Sequence, residues 1–131
     1  MQSSHIRGIS CLLDTDIIID FLRHRSYAQK ILEHWSEKGL LAISALTHLE
    51  IYQGMKASEA AATEVFLDGL ITIDIDVIIA RQAGTMLGEL RNKEVLVSIA
   101  DAIIAATAIQ LNAPLLTNNK KRYRFAELKV I

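Results

Sequence analysis

Short apolar runs alternate along the chain with longer stretches in which hydrophobic residues recur at helical spacing. The short runs begin at Cys11, Leu40, Leu70 and Leu115 and have the length of buried strands. Between them, apolar residues recur every three or four positions, as in amphipathic helices. Strands that alternate with helices predict an α/β fold with a central parallel sheet flanked by helices on both faces. Residues 128–131 are a candidate for a further strand.

Capping residues mark the expected starts of three helices. Ser44 and Ser98 each stand directly before a helical segment, and Asp74 or Asp76 can cap the longest one. Asp101 follows Ser98 by three positions, which resembles a capping box with Asp in place of Glu. The helical segments are predicted around 28–35, 46–52, 58–69, 77–90 and 102–111.

The first strand is followed at once by Asp14, Thr15 and Asp16. In open α/β sheets, ligands bind beyond the carboxyl ends of the strands, so Asp14 is predicted to stand where chemistry takes place. Asp16 has two alternative interpretations. An extended chain would place it on the same face as Asp14, whereas a helix that starts here would use it as a cap.

Two further acids, Glu50 and Asp101, have apolar neighbours on both sides. Because an unpaired carboxylate in an apolar setting is costly, each of these acids needs a partner or a metal. Each acid also has a structural interpretation when taken singly. Asp14 can cap a turn, Asp101 can be a first-turn acid favoured by the helix dipole, and Glu50 can be exposed on an amphipathic helix.

Taken together, these acids predict a metal site at the rim of the sheet. Carboxylates that converge there would repel one another, which implies a divalent cation. The chain has one cysteine and four histidines, and the histidines lack zinc-ligand spacing. Oxygen ligands favour Mg²⁺ or Mn²⁺, and such a cation can lower the pKa of water and polarise a phosphoryl oxygen.

Composition narrows the class of protein. The 131 residues are 51% hydrophobic and 22% charged, which predicts a single globular domain over 1–131, with 1–10 as a flexible N-terminal extension. No apolar run has the length of a membrane span, and no signal peptide is recognisable. The lone Cys11 excludes a disulfide framework and is expected in the core. We therefore expect a cytoplasmic protein.

Positive charge is concentrated near the C-terminus, although the formal net charge is only −1. One interpretation is a solvated surface; the other is a patch that contacts phosphates. The basic residues are Lys120, Lys121, Arg122, Arg124 and Lys129.

Four segments resemble, in order, the motifs of PIN-domain ribonucleases of the VapC toxin type. They are residues 12–23 around Asp14, 44–54 around Glu50, 100–108 around Asp101, and 115–123. The resemblance implies a PIN-like fold with a five-stranded parallel sheet. It also implies metal-dependent endonucleolytic cleavage of RNA, inhibition by a small VapB-type antitoxin, and pairing with a second copy of the toxin.

The same resemblance implies roles for individual residues. Asp14, Glu50 and Asp101 would be catalytic and would hold Mg²⁺ or Mn²⁺, with Asp16 and Asn119 as further candidate ligands. Many PIN domains have an aspartate where Asn119 stands, and asparagine offers an oxygen but no charge. The residues that would contact substrate or its phosphates are Thr15, Thr117, Asn119, Lys120, Lys121 and Arg122.

Two alternatives remain open at this stage. Asp14 and Asp16 also resemble the first motif of haloacid-dehalogenase-type phosphatases, but Ile17 follows where that family usually has threonine. A later lysine followed by an acidic pair is also not recognisable. The second alternative is a non-catalytic PIN-like module that binds RNA or protein, an interpretation that Asn119 supports.

Overall fold

A parallel β-sheet forms the centre of the fold, as predicted. The computed structural model describes residues 8–125 and 127–131. The strand order is β3-β2-β1-β4, and every pairing is parallel. The strands are β1 (Ile9–Leu13), β2 (Leu40–Ser44), β3 (Ile71–Ile73) and β4 (Leu115–Leu116). The helices are α1 (Thr15–Leu22), α2 (Ser26–Lys38), α3 (Ala45–Gly54), α4 (Ala60–Asp68), α5 (Val77–Asn92) and α6 (Ile99–Leu111), with 3₁₀ turns at Ala57–Glu59 and Lys120–Arg122.

Helices cover both faces of the sheet because successive side chains of β1 point in opposite directions. Leu12 belongs to one buried cluster, together with Ala105 of α6. Cys11 and Leu13 belong to a second buried cluster, together with Ile17 of α1. All of β1 from Cys11 onward is fully buried, as expected for a central strand, and the predicted core position of Cys11 is confirmed.

The sheet begins earlier than the sequence predicted. Ile9 and Ser10 belong to β1, so they are not part of a flexible extension. The Leu40 backbone N–H donates to the Gly8 carbonyl at 2.8 Å, which ties the start of β1 to β2. At Gly39, which ends α2 as predicted, a Cβ atom would lie 2.5 Å from the Gly8 carbonyl oxygen. The remainder of the predicted extension, residues 1–7, lies outside the described residues.

The expected fifth strand is reduced to a single β-bridge. Val130 pairs with Leu115, whose backbone N–H donates to the Lys129 carbonyl at 2.8 Å. The Ile131 N–H donates in turn to the Leu115 carbonyl at 2.9 Å. Because β4 has only two residues, the C-terminal segment cannot pair with it over a greater length. The described part of the chain therefore has four strands, and the prediction of five was wrong.

The polar segment after β1 is helical from its second residue. Asp14 is the N-cap of α1, and its Oδ1 accepts a hydrogen bond from the Thr15 N–H at 2.8 Å. Asp16 therefore lies in the first helical turn, so both sequence-based interpretations of Asp16 were wrong. The apolar residues that continue the run pack inward from α1 because helical spacing places Ile17 and Ile18 on its buried side.

Most other helix boundaries follow their capping signals. Ser44 and Ser98 accept hydrogen bonds from the N–H groups of Leu46 and Asp101, each at 3.0 Å. Asp76 rather than Asp74 caps α5, because its Oδ1 accepts from the Ile79 N–H at 2.8 Å. The helix predicted over 58–69 is divided into a 3₁₀ turn and α4. Among the described residues, no helix has the length and apolar character that a membrane span requires.

Candidate active site

Three strand ends bring the polar residues of the site to one edge of the sheet. Asp14 follows β1, Thr117 follows β4, and β2 leads directly into α3, which carries Thr47 and Glu50. The Asp14, Thr47 and Thr117 side chains are buried. This is the edge at which ligands bind in open parallel sheets.

Asp14 is 1% exposed, and both of its carboxylate oxygens have hydrogen-bond donors. Oδ1 accepts from the Thr15 N–H at 2.8 Å. Oδ2 accepts from the Thr117 hydroxyl at 2.7 Å and from Arg122 Nη2 at 2.8 Å. These donors offset the desolvation of a buried charge, which would otherwise be strongly destabilising.

Glu50 is held beside Asp14 by Thr15, whose hydroxyl also contacts Thr47. The Thr15 hydroxyl donates to Glu50 Oε1 at 2.6 Å, and the Thr15 and Thr47 hydroxyl oxygens are 3.1 Å apart. Thr15 therefore contributes its backbone N–H to Asp14 and its side chain to Glu50. This double contact fixes the relative positions of the first two predicted acids.

Asp101 joins the site from the first turn of α6, where its backbone N–H bonds to the Ser98 cap. Its Oδ1 lies 3.7 Å from Arg122 Nε. The Arg122 guanidinium therefore bridges Asp14 and Asp101. Burial lowers the pKa of Arg122, but the charge of Asp14, together with Tyr123 and Asp101, outweighs this effect and raises the pKa overall, so the guanidinium is charged.

Asp16 adds a fourth carboxylate. Its Oδ2 accepts from the Asn118 N–H at 3.0 Å and lies 3.3 Å from the Thr117 hydroxyl oxygen. Its Oδ1 is buried and has no hydrogen-bond partner among the described residues. Burial raises the pKa of Asp16, and the charge of Asp14 raises it further, with partial offset by the Asn118 N–H.

The four carboxylates line one open cleft with a volume of about 290 Å³. The sequence predicted that Asp14, Glu50 and Asp101 would converge, and the structure brings them to this cleft together with Asp16. The residues around the cleft are Asp14, Thr15, Asp16, Ile19, Glu50, Gln53, Asp101, Ile104 and Arg122.

The segment after β4 is divided between the cleft and the surface. Asn119 and Lys120 are exposed, and neither lines the cleft. The Asn119 backbone N–H donates to the Thr117 hydroxyl oxygen at 3.0 Å. Lys121 and Arg122 line a second pocket of about 500 Å³, beside the cleft.

Three basic side chains line the second pocket. Lys121, Arg122 and Arg124 line it together with residues 94–98. Asp101 and Arg122 line both this pocket and the acidic cleft. Arg122 thus stands between the acidic cleft and a pocket that three basic side chains line together with Glu94 and Asp101.

Three supporting residues were missed by the sequence analysis. Thr47 is fully buried beside Thr15. The Asn118 amide donates to Asp20 Oδ2 at 3.0 Å, and the Tyr27 hydroxyl contacts both of these side chains. Thr47 and Asn118 lie inside two of the four motif segments, which was the signal available for them. The contact between Tyr27 and Asn118 could not be inferred, because the two residues are 91 positions apart in the sequence.

The chemistry of the cleft fits a hard divalent cation. Its acidic side chains offer only oxygen ligands, and one of the Asp16 oxygens is buried without a partner. Within residues 8–125 and 127–131, no three Asp, Glu, His or Cys side chains already stand close enough to hold a metal. The donor types are therefore suitable, while Arg122 is the cation that holds Asp14 and Asp101 in this structure.

Comparison with known proteins assigns the family. The PIN domain model matches residues 11–128. Ribonuclease VapC19 of Mycobacterium tuberculosis is 34% identical over 113 residues, which cover 86% of this chain and 90% of the relative. The chain belongs to the VapC group of the PIN domain family. This assignment favours the ribonuclease interpretation over the haloacid-dehalogenase-type phosphatase.

Solved structures of similar fold agree with this assignment. VapBC2 from Rickettsia felis bound to a promoter DNA fragment matches this PIN domain with a TM-score of 0.83 and 27% identity, over 94% of this chain and 97% of that one. A toxin–antitoxin complex from Klebsiella pneumoniae matches with a TM-score of 0.80 and 31% identity, over 93% and 96%. The PIN-like fold expected from the four motifs is confirmed.

Proposed function

We propose that this PIN domain is the endoribonuclease toxin of a toxin–antitoxin system and cleaves RNA at the acidic cleft. The observation that carries the proposal is the convergence of carboxylates from α1, α3 and α6 on the residue that follows β1. Relatives that are named ribonucleases and neighbours solved as toxin–antitoxin complexes support it. A cytoplasmic location is part of the proposal.

Asp14, Glu50 and Asp101 are the residues that would hold Mg²⁺ or Mn²⁺, and Asp16 offers a further oxygen. When bound, such a cation supplies Lewis-acid activation of water and of a phosphoryl oxygen. Asn119 is a weaker candidate ligand because its side chain does not line the cleft. Asp14 keeps its position through the Thr15 N–H and the Thr117 hydroxyl.

The hydrogen bonds of Thr15 and Thr117 support a positioning role in place of the substrate contact expected from the resemblance. The Thr15 hydroxyl donates a hydrogen bond to Glu50, and the Thr117 hydroxyl donates one to Asp14. These threonines would therefore orient the two acids rather than contact phosphate. Contacts with phosphate are assigned to Lys120, Lys121 and Arg122, which form the exposed 3₁₀ turn after β4. Because such contacts release counterions, RNA binding should weaken as salt increases.

The proposed protein partners are a VapB-type antitoxin and a second copy of the toxin. An antitoxin segment that crosses the cleft could place an arginine among the carboxylates, because the Arg122 guanidinium already fits between Asp14 and Asp101. Amide hydrogen exchange on complex formation should show protection around these two acids. Protection confined to the opposite face would contradict this mode of inhibition.

The test of the activity uses Asp14→Asn, Glu50→Gln and Asp101→Asn with a mixed RNA pool and Mn²⁺, with and without EDTA. Each folded variant should lose cleavage by roughly 100-fold, since loss of even an outer-shell partner of a metal costs 10- to 100-fold. Asp74→Asn is the matched control because Asp74 is exposed and lies outside the cleft.

The competing functions give different results in the same experiment. A phosphatase would hydrolyse p-nitrophenyl phosphate and spare the RNA, and a binding module would do neither. Near-normal cleavage by folded Asp101→Asn would contradict the assignment of Asp101, with Asp14 and Glu50, to the catalytic site.

A further inference from the structure

We propose that the Arg122 guanidinium and the divalent cation are alternative partners of Asp14 and Asp101, so that metal entry transfers Arg122 from the acids to an RNA phosphate. The inference rests on the proposed function. It goes beyond that function because it gives Arg122 two roles. Arg122 weakens metal binding in the absence of RNA, and it makes RNA binding dependent on metal.

The first observation is the place that Arg122 occupies. Its Nη2 donates to Asp14 Oδ2 at 2.8 Å, and its Nε lies 3.7 Å from Asp101 Oδ1. These carboxylates come from the end of β1 and the start of α6, and the guanidinium is the group that joins them. A divalent cation held by the same two acids would neutralise the charges that the guanidinium now neutralises, so the two cations would compete.

The second observation is that the Arg122 side chain is partly exposed and borders a second pocket. Its side chain is 41% exposed, in contrast to 1% for Asp14. It stands on the boundary between the acidic cleft and the pocket that Lys121 and Arg124 line. The three cations of this pocket, Lys121, Arg122 and Arg124, outnumber its two acids, Glu94 and Asp101. An RNA phosphate would therefore balance the excess positive charge once the guanidinium has left Asp14.

Competition of this kind has two consequences for binding. Metal affinity is lowered, because the cation must displace an existing charge-assisted pair. RNA affinity depends on metal, because Arg122 becomes available for phosphate only after it leaves the acids. By linkage, RNA must then increase metal affinity by the same factor.

The experiment compares wild type with Arg122→Gln in a calorimetric Mn²⁺ titration without RNA. Removal of the competitor should tighten Mn²⁺ binding about tenfold, the equivalent of one modest charge-assisted hydrogen bond. Arg124→Gln is the matched control. Arg124 lines the basic pocket but forms no ion pair within 4.0 Å in the described part of the chain, so its loss should leave Mn²⁺ affinity unchanged.

The second measurement uses a mixed-sequence phosphorothioate oligoribonucleotide at saturating Mn²⁺. Arg122→Gln should bind this RNA more weakly, and the slope of log affinity against log salt should fall by about 0.7, the single-strand value for one phosphate contact. Without metal, Arg122→Gln should match wild type in RNA binding, because the wild-type guanidinium is then held by Asp14 and Asp101.

The metal dependence of the RNA effect identifies the exchange, because loss of any nearby positive charge would also tighten Mn²⁺ binding and weaken RNA binding. A purely structural role would weaken metal and RNA together, and melting of each metal-free variant would reveal it. The arginine Nε–H resonance gives a direct readout in wild type, since Mg²⁺ should accelerate its exchange with water.

The outcomes separate the exchange from the proposed function. If wild type binds Mn²⁺ and cleaves RNA, but Arg122→Gln binds Mn²⁺ no more tightly, the exchange is wrong and the function stands. If neither protein binds Mn²⁺ at all, both proposals are overturned.

Discussion

Asp14 shows how much of the site depends on single side chains far apart in sequence. Its buried carboxylate is satisfied by Thr117, 103 positions away, and by Arg122, 108 positions away. The acids themselves could be predicted, because a charge beside apolar residues is costly and indicates a role. Arg122 could not be predicted among them, because a run of basic residues has the same pattern on any solvated surface.

Asn119 is the residue that departs from the usual PIN-domain pattern, and its role is testable by Asn119→Asp. If it lies within reach of the cation, the added charge should tighten Mn²⁺ binding by less than about tenfold, because added carboxylates also repel Asp14 and Asp101 until metal arrives. The same repulsion should destabilise the metal-free protein slightly. Calorimetric titration and thermal melting with and without Mn²⁺ measure both effects.

Asn92→Asp is the matched control for this change, since Asn92 is exposed at the end of α5 and outside the cleft. Equal Mn²⁺ affinity and equal metal-induced melting shifts in wild type and Asn119→Asp would place residue 119 beyond the reach of the metal. The segment after β4 would then serve the site only through Thr117 and Arg122.

At the scale of elements, helix starts determine where the acids point. Asp14 is the N-cap of α1, Ser44 caps the helix that carries Glu50, and Ser98 caps the helix that carries Asp101. The last two caps could be predicted from serine before an apolar helical pattern. The start of α1 could not, because Ile17, Ile18 and Ile19 form an uninterrupted apolar run that suits a strand as well as a helix.

The cap of α6 provides a test at this scale. Ser98→Ala leaves the Asp101 N–H without its side-chain acceptor and should lower the free energy of unfolding by about 1 kcal/mol. Cleavage should fall as well, because the first turn of α6 carries Asp101 and would fray. Urea unfolding and the RNA cleavage assay measure the two effects.

Ser98→Thr is the matched variant, since threonine retains the hydroxyl and should preserve most of both stability and activity. A Ser98→Ala variant that loses stability but cleaves normally would show that the cap holds α6 without positioning Asp101.

For the whole molecule, parallel topology explains why so much could be predicted from sequence. The four parallel strands end at the same edge, which is where Asp14 stands after β1 and where Glu50 and Asp101 reach it from α3 and α6. The absence of a fifth strand within residues 8–125 and 127–131 follows from the short length of β4. Residues 128–131 do run beside β4, but β4 has two residues after Pro114 and gives its neighbour too short an edge to extend the pairing.

The cleft exists only in the folded chain, because its ligands come from residues 14 to 101. A cation that binds there should therefore stabilise the whole fold. At a free Mn²⁺ concentration 100 times its dissociation constant, linkage predicts a stabilisation of about 2.7 kcal/mol. For a domain of this size, that corresponds to an increase in melting temperature of roughly 10 °C.

Differential scanning calorimetry with and without Mn²⁺, followed by EDTA, measures this increase and its reversal. Asp101→Asn should show a much smaller shift, because it removes one charged ligand and leaves the fold intact. Asp74→Asn should retain the full shift, because Asp74 lies outside the cleft. A full shift in Asp101→Asn would mean that the stabilising cation binds elsewhere, and that Asp14 and Asp101 are held together by Arg122 rather than by a metal.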